Sequence, residues 1–258
     1  MSTSEVTSRT TSPEPEPDPT DGTGPRGGQL RALARVVHPR QALATAVVVG
    51  ALVALMGRPL REVLVSAAAV LVAQLALGVV NDVSDVEDDR RSGVEGKPVA
   101  DGTLPVGNAT FAVAALLLLA LPLSLQSGVV AGVFLLASIV VGFVHNRWLH
   151  RSVLSWVGWS VTFALLTCFV AYGGWGQDTD GSAPVTTFVV LAAVLGALVH
   201  FLTTLPDLVA DNAAGVRNLP LRVALRTGAP RLLVISGVLT LLVTVALVWT
   251  ALTVGVAR

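Results

Sequence analysis

Two short acidic stretches hold the residues of this 258-residue chain best suited to chemistry. The first reads Asn81-Asp82-Val83-Ser84-Asp85-Val86-Glu87-Asp88-Asp89-Arg90-Arg91, and the second Asp207-Leu208-Val209-Ala210-Asp211. On a helix, Asp82, Asp85 and Asp89 fall within about 60° of one another, a single stripe of carboxylates. Asn81 and Asp88 flank that stripe, and Glu87 points away. Asp207 and Asp211 share a helical face at i, i+4. Carboxylates near a helix C-terminus oppose the macrodipole and repel one another at this spacing, so local helix stability does not account for them. Divalent cations do. Mg2+ takes oxygen ligands, keeps several waters and is commonly shared between carboxylates and substrate phosphates. Two facing clusters joined through Mg2+ to a diphosphate approach charge balance. The chemistry implied is departure of diphosphate from an allylic carbon, with metal neutralising the leaving oxygens. For Glu87, Asp88, Glu95 and Asp101 a solvated acidic loop is explanation enough.

The elements that must position these acids are apolar runs. Of all residues, 53% are hydrophobic and only 13% charged, against about a quarter charged in a soluble domain. Seven stretches near the length of a membrane span stand out: 41–57, 62–81, 109–126, 128–146, 153–173, 184–205 and 231–254. None alternates like a strand, and none keeps a polar face, so the expected fold is an all-α polytopic transmembrane bundle. Seventeen basic residues balance seventeen acidic ones, which argues against a nucleic-acid partner. The single cysteine, Cys168, excludes a disulfide framework and a Cys-based zinc site.

Residues 1–29, rich in Ser, Thr, Pro, Glu and Gly, read as a disordered tail without the features of a secretory signal. Residues 30–258 read as the membrane domain. With the N-terminus inside, thirteen Lys and Arg fall in the inner segments and three in the outer ones. This bias predicts a cytoplasmic N-terminus, with both acidic clusters at the cytoplasmic boundary and the C-terminus outside. Helices 2, 4 and 6 then end together at one face, with the loop His145–Arg151 between the clusters.

Asn81-Asp82-x-x-Asp85-x-x-x-Asp89 and Asp207-x-x-x-Asp211 resemble the two aspartate-rich motifs of the UbiA superfamily of intramembrane prenyltransferases. The flanks resemble it too: Gly96-Lys97-Pro98-Val99-Ala100-Asp101-Gly102 after the first motif, and Gly215-Val216-Arg217-Asn218-Leu219-Pro220-Leu221-Arg222 after the second. The resemblance runs from about residue 38 to the end. It implies a helical bundle around a central cavity that opens laterally to lipid. It further implies Mg2+ held by Asn81, Asp82, Asp85, Asp89, Asp207 and Asp211, with Asp82, Asp85, Asp207 and Asp211 as the catalytic core. Diphosphate would meet Asn81, Lys97, Arg217, Arg222 and His150. The implied reaction is Mg2+-dependent transfer of a prenyl group from an isoprenyl diphosphate to a lipophilic acceptor, aromatic in many members.

The chain departs from the family pattern in three places. It ends after a seventh helix where members commonly have nine, which leaves room for a second subunit to complete the bundle. His145 and His150 stand where a Tyr and a Lys are frequent, and His145 is a candidate proton acceptor. The only tyrosine, Tyr172, lies at the far end of helix 5. The cavity wall is expected from Phe143, Trp148, Trp156, Trp159, Phe163, Phe188 and Phe201, with interfacial anchoring the alternative for Trp148 and Trp156. A terpene cyclase of the same fold, quenching the cation without an acceptor, is the nearest competing function. CDP-alcohol phosphotransfer is disfavoured, because Asp101-Gly102-Thr103-Leu104-Pro105-Val106 lacks the Asp-Gly-x-x-Ala-Arg segment it requires. A metal or ion transporter fits less well, since transport sites lie near the bilayer midplane and these acids lie at helix ends.

Overall fold

The computed structural model describes residues 25–93, 96–174 and 182–257. The acidic tail segment Glu14–Pro19, with Arg9, Glu95, Asp178, Asp180 and Arg258, lies outside them. Apart from one isolated bridge between Pro184 and Ala257, the described residues form helices and their connections. α1 (Pro25–Val36) includes residues 25–29, which the sequence reading assigned to the tail.

A bend of 52° joins α1 to α2 (Pro39–Leu55). His38 forms it with φ 46°, in the left-handed region. Pro39 disfavours the helical conformation for the residue before it, so the break has a cause in the sequence. Next come α3 (Leu60–Ser92), α4 (Val106–Leu125) and α5 (Val129–Val144), which runs into a π-helical turn at His145–Leu149. They are followed by α6 (Ser155–Tyr172) and α7 (Thr186–Thr204), then a 3-10 turn at Leu205–Asp207 and the short α8 (Leu208–Ala213). The chain finishes with α9 (Leu219–Thr227) and α10 (Ala229–Thr253).

Among the described residues six helices are long and apolar enough to cross a membrane, and seven if the bent α1–α2 pair is one span. The seven predicted runs fall on α2 to α7 and α10. Their outward faces carry Leu118, Leu121, Val140, Leu241, Leu242 and Leu252 fully or largely exposed. In water such a surface would aggregate; a bilayer is the solvent it suits. The protein is therefore a multi-pass integral membrane protein.

Two boundaries differ from expectation in a way that matters. Helix 2 does not stop near residue 81: α3 continues for 33 residues to Ser92. That is about 50 Å of helix, well beyond a hydrocarbon core of about 30 Å. Its last turns therefore stand clear of the span and carry the first acidic cluster. No proline interrupts α3, and Gly93, at φ 62°, ends it by donating its N–H to the Asp89 carbonyl. The segment His145–Arg151 is likewise not a plain loop, because helix α5 runs on through the π-turn to Leu149.

Neighbouring helices pack α2 on α3, α3 on α4, α5 on α6, α6 on α7, and α7 on α10. Their common core contains Val53, Val70, Ala73, Leu135, Phe169 and Val170. Lipid gives helices little hydrophobic reason to associate, so close backbone approach carries much of the packing. The tightest approach is at Gly196 on α7, where a Cβ would lie 2.5 Å from the Trp159 carbonyl oxygen of α6. Replacing Gly196 by Ala forces the two helices apart and is expected to cost about 1–3 kcal/mol. Thermal unfolding in detergent checks this: G196A should melt several degrees lower, whereas Gly237→Ala on α10, with nothing within 4 Å, should not.

Candidate active site

The long α3 brings its polar stripe to one side of a cavity of about 780 Å³. Gln74, Gly78, Asn81, Asp85 and Asp89 line it in successive turns, with Asp88 beside them. On the opposite wall Pro206 breaks the regular helix, and the 3-10 turn delivers Asp207 while α8 delivers Asp211. Both line the same cavity. The two clusters expected to face each other therefore do so, although Asp207 and Asp211 are not on one continuous α-helix.

Asp82 sits differently from its neighbours. It is only 3% exposed, is absent from the cavity wall, and accepts a hydrogen bond from Lys97 Nζ at 2.9 Å. His38 Nε2 lies 3.3 Å from the same Oδ1. Lys97 Nζ also lies 3.6 Å from Asp89 Oδ2. Burial alone would lower the Lys97 pKa, but the bond to Asp82 and the charges of Asp82, Asp89 and Asp85 outweigh it and hold the ammonium charged. The lysine is anchored by its loop: Val99 and Leu104 are buried against Val36, Val79 and Ala109, and Leu104 donates its N–H to the Pro98 carbonyl at 2.8 Å. Asp101 stays exposed in that loop, bonded to the Thr103 amide.

The remaining polar residues frame the mouth. His150 Nε2 stands 3.8 Å from Asp85, and Arg151 pairs directly with Asp88. Arg217 donates its backbone N–H to the Arg151 carbonyl at 3.3 Å, joining the segment after α8 to the one before α6. The Arg217 and Arg222 side chains are exposed and do not line the cavity. Glu87 is also exposed, paired with Arg91 along the helix.

Three residues that the sequence reading passed over prove to belong to the site. Asn218 caps α9 by accepting from the Leu221 amide, and its amide group donates to Asp211 Oδ2 at 2.8 Å. Asn146 donates to the Leu77 carbonyl of α3. His200, on α7, lines the cavity and packs its ring against those of His145 and Trp159. Its sequence signal was its place seven residues before Asp207, on the same helical face.

Most of the expected aromatic wall lies elsewhere. Trp159 and Phe163 line the cavity. Phe143 and Trp148 are exposed and meet edge-to-face outside it, and Trp156 is also exposed. Phe188 is buried in the main core, and Phe201 packs against the cluster under α9. Tyr172 stacks on Phe134 in the main core. The apolar runs placed all of these except Trp148 on helices but could not say which way each helix turns.

Among the described residues no three His, Cys, Asp or Glu side chains form a ready-made metal cage. The donors present nonetheless suit Mg2+, which seldom uses such a cage and prefers one or two carboxylates with water and phosphate oxygens. The acids offer only hard oxygen ligands, and Asp89 Oδ2 is buried without a hydrogen bond. Asp85 and Asp89 from one wall, and Asp207 and Asp211 from the other, are the residues that would hold such ions.

With this geometry in view, comparison with known proteins decides the family. The profile of the UbiA prenyltransferase family matches residues 42–257. The chain belongs to that family. Solved UbiA-type structures share its fold. One is a UbiA homologue from Archaeoglobus fulgidus, described as bound to DMAPP and Mg2+; it aligns with TM-score 0.60 and 19% identity over 85% of this chain and 76% of its own. Another, from work on digeranylgeranylglyceryl phosphate synthase in membranes, aligns with TM-score 0.57 and 19% identity over 84% and 78%. No curated protein sequence matches the chain.

The Asn218 contacts give a direct test of how the second wall is held. Asn218→Ala removes both the cap and the bond to Asp211, and should lower stability by about 0.5–2 kcal/mol. Asn218→Asp keeps a capping oxygen but sets a second carboxylate against Asp211. In thermal unfolding, added Mg2+ should recover more stability for N218D than for N218A.

Proposed function

We propose that the protein is an Mg2+-dependent intramembrane prenyltransferase, moving a prenyl group from an isoprenyl diphosphate to a lipophilic acceptor. One observation carries this reading: carboxylates from α3 and from the Pro206 break face one cavity, beside a half-buried lysine. Family membership supports the reaction class, and the DMAPP and Mg2+ described for the Archaeoglobus homologue support the ligand class.

In this reading Asp85, Asp89, Asp207 and Asp211 hold Mg2+, with Asn81 beside them on the α3 wall. When bound, Mg2+ neutralises charge on the leaving diphosphate oxygens. Lys97 and His150 meet the diphosphate at the mouth. Asp82 acts from behind, fixing Lys97 in position, and His38 steadies Asp82 in turn. Leu77, Phe163 and Leu166 give the prenyl chain an apolar wall. Arg217 and Arg222 act as surface cations that draw an anionic substrate toward the opening. The excess of basic residues at this end supports a cytoplasmic position for it.

The test is diphosphate release from dimethylallyl, geranyl and longer isoprenyl diphosphates by purified protein, with and without acceptors. Asp85→Asn, Asp89→Asn, Asp207→Asn and Asp211→Asn should each lower Mg2+-dependent release at least about 100-fold, and chelation of Mg2+ should abolish it. Unchanged release in these variants would sink the reading. A cyclised hydrocarbon or alcohol formed without acceptor would make the protein a cyclase instead.

A further inference from the structure

Below the carboxylates the cavity does not become plainly apolar. His200 lies seven residues before Asp207 on the same wall, about 10 Å deeper along the helix axis. It is 5% exposed, and its Nε2 is buried with no hydrogen-bond partner. Its ring is held by three others, with Phe201 edge-to-face at 6.5 Å. Trp159 lies tilted against it at a centroid distance of 5.8 Å, and His145 meets it edge-to-face at 5.7 Å.

The two histidines are not equivalent. Trp159 Nε1 donates to His145 Nε2 at 3.2 Å, so that nitrogen is engaged and the hydrogen of His145 resides on Nδ1. His145 is also wedged against α6, where a Cβ on Gly158 would come within 2.7 Å of its ring. His145 Nδ1 and His150 Nδ1 are buried without a partner as well. The first carries the His145 hydrogen, and the second belongs to a residue at the mouth beside Asp85. His200 Nε2 is therefore the nitrogen left to accept a hydrogen bond below the carboxylates. An isoprenyl chain has no group to satisfy it. Gln74, Thr162 and Thr204 line the same cavity, so hydrogen-bonding groups continue below its mouth.

We infer that His200 is a catalytic residue for the acceptor, and that the acceptor is a hydroxyl compound, an alcohol or a phenol, whose O–H donates to His200 Nε2. The inference rests on the prenyl-transfer reading for its chemistry. The acceptor oxygen bonds to the allylic C1, the C1–O bond to diphosphate breaks with its electron pair leaving on diphosphate, and the hydroxyl proton passes to Nε2. The product is a prenyl ether. Trp159 and His145 are positioning residues that keep the His200 ring in its plane.

The experiment compares the wild-type protein with His200→Phe, which keeps an aromatic ring against Trp159, and His200→Gln, which keeps a polar atom near the Nε2 position. The probes are 4-dodecylphenol, dodecan-1-ol and the methyl ether of 4-dodecylphenol. In H200F ether formation should fall about 100-fold further than acceptor-free diphosphate release does. H200Q should bind the phenol but transfer poorly. Ether formation unchanged in H200F, loss of acceptor-free release in parallel with transfer, or release without ether from either hydroxyl probe would each overturn the inference.

Thermal stabilisation by the probes, measured without isoprenyl diphosphate, separates the two readings. Stabilisation by the phenol but not by its methyl ether, lost in H200F, supports the hydroxyl subsite even if no prenyl transfer occurs. Equal stabilisation by both, in a protein that does release diphosphate, overturns the subsite and leaves prenyl transfer standing.

Discussion

Among the described residues, five carboxylates and two permanent cations line one cavity at the end of a lipid-embedded bundle. This imbalance is the constraint around which the rest of the structure is organised. Carboxylates crowded into a partly desolvated space repel strongly and are costly unless compensated. Lys97 supplies one internal compensation, with contacts to Asp82 and Asp89, and Arg151 supplies another through Asp88. The surplus that remains is what the proposed divalent cations and anionic ligand would offset.

Holding that surplus in place requires firm supports on every side. The Lys97 loop is pinned by Val99 and Leu104 in a small core of its own. Asp211 is held by Asn218, which also starts α9, while Leu208 and Leu221 bury the underside of that corner. His38 reaches Asp82 only because the chain bends in the left-handed region just before Pro39. A Cβ at Gly78 would come within 2.8 Å of the Val37 carbonyl oxygen, so the small residue on α3 is what admits the bend. Local backbone chemistry thus turns directly into the position of a charge.

Much of this was legible in the sequence. Lipid demands long uninterrupted apolar runs, so all seven runs could be read and all seven correspond to helices. The convergence of Asp85 and Asp89 with Asp207 and Asp211 followed from motif and parity. The limits were rotational. Asp82, Asp85 and Asp89 share a stripe about 60° wide, yet the edge of the cavity cuts through it, leaving Asp82 on the side of Lys97. The same ambiguity scattered the predicted aromatic wall, since Phe188 faces the core and Trp148 faces outward. His200 sits in an apolar run where a single imidazole is unremarkable until the opposite wall is known. Asn218 looked like an ordinary loop residue two positions before a proline, because its two bonds depend on where α8 ends.

The two walls also differ in continuity. On α3, Gln74 and Asp89 ride one unbroken helix, so their separation is set by helical rise at about 22 Å. That wall works as a ruler: the offset between its polar floor and its acidic rim cannot change without unfolding a turn. The facing wall changes from α-helix to 3-10 turn to α-helix around Pro206, and its rim hangs on short segments. One jaw is rigid and the other is jointed, so adjustment to ligands of different size falls to the jaw bearing Asp207 and Asp211.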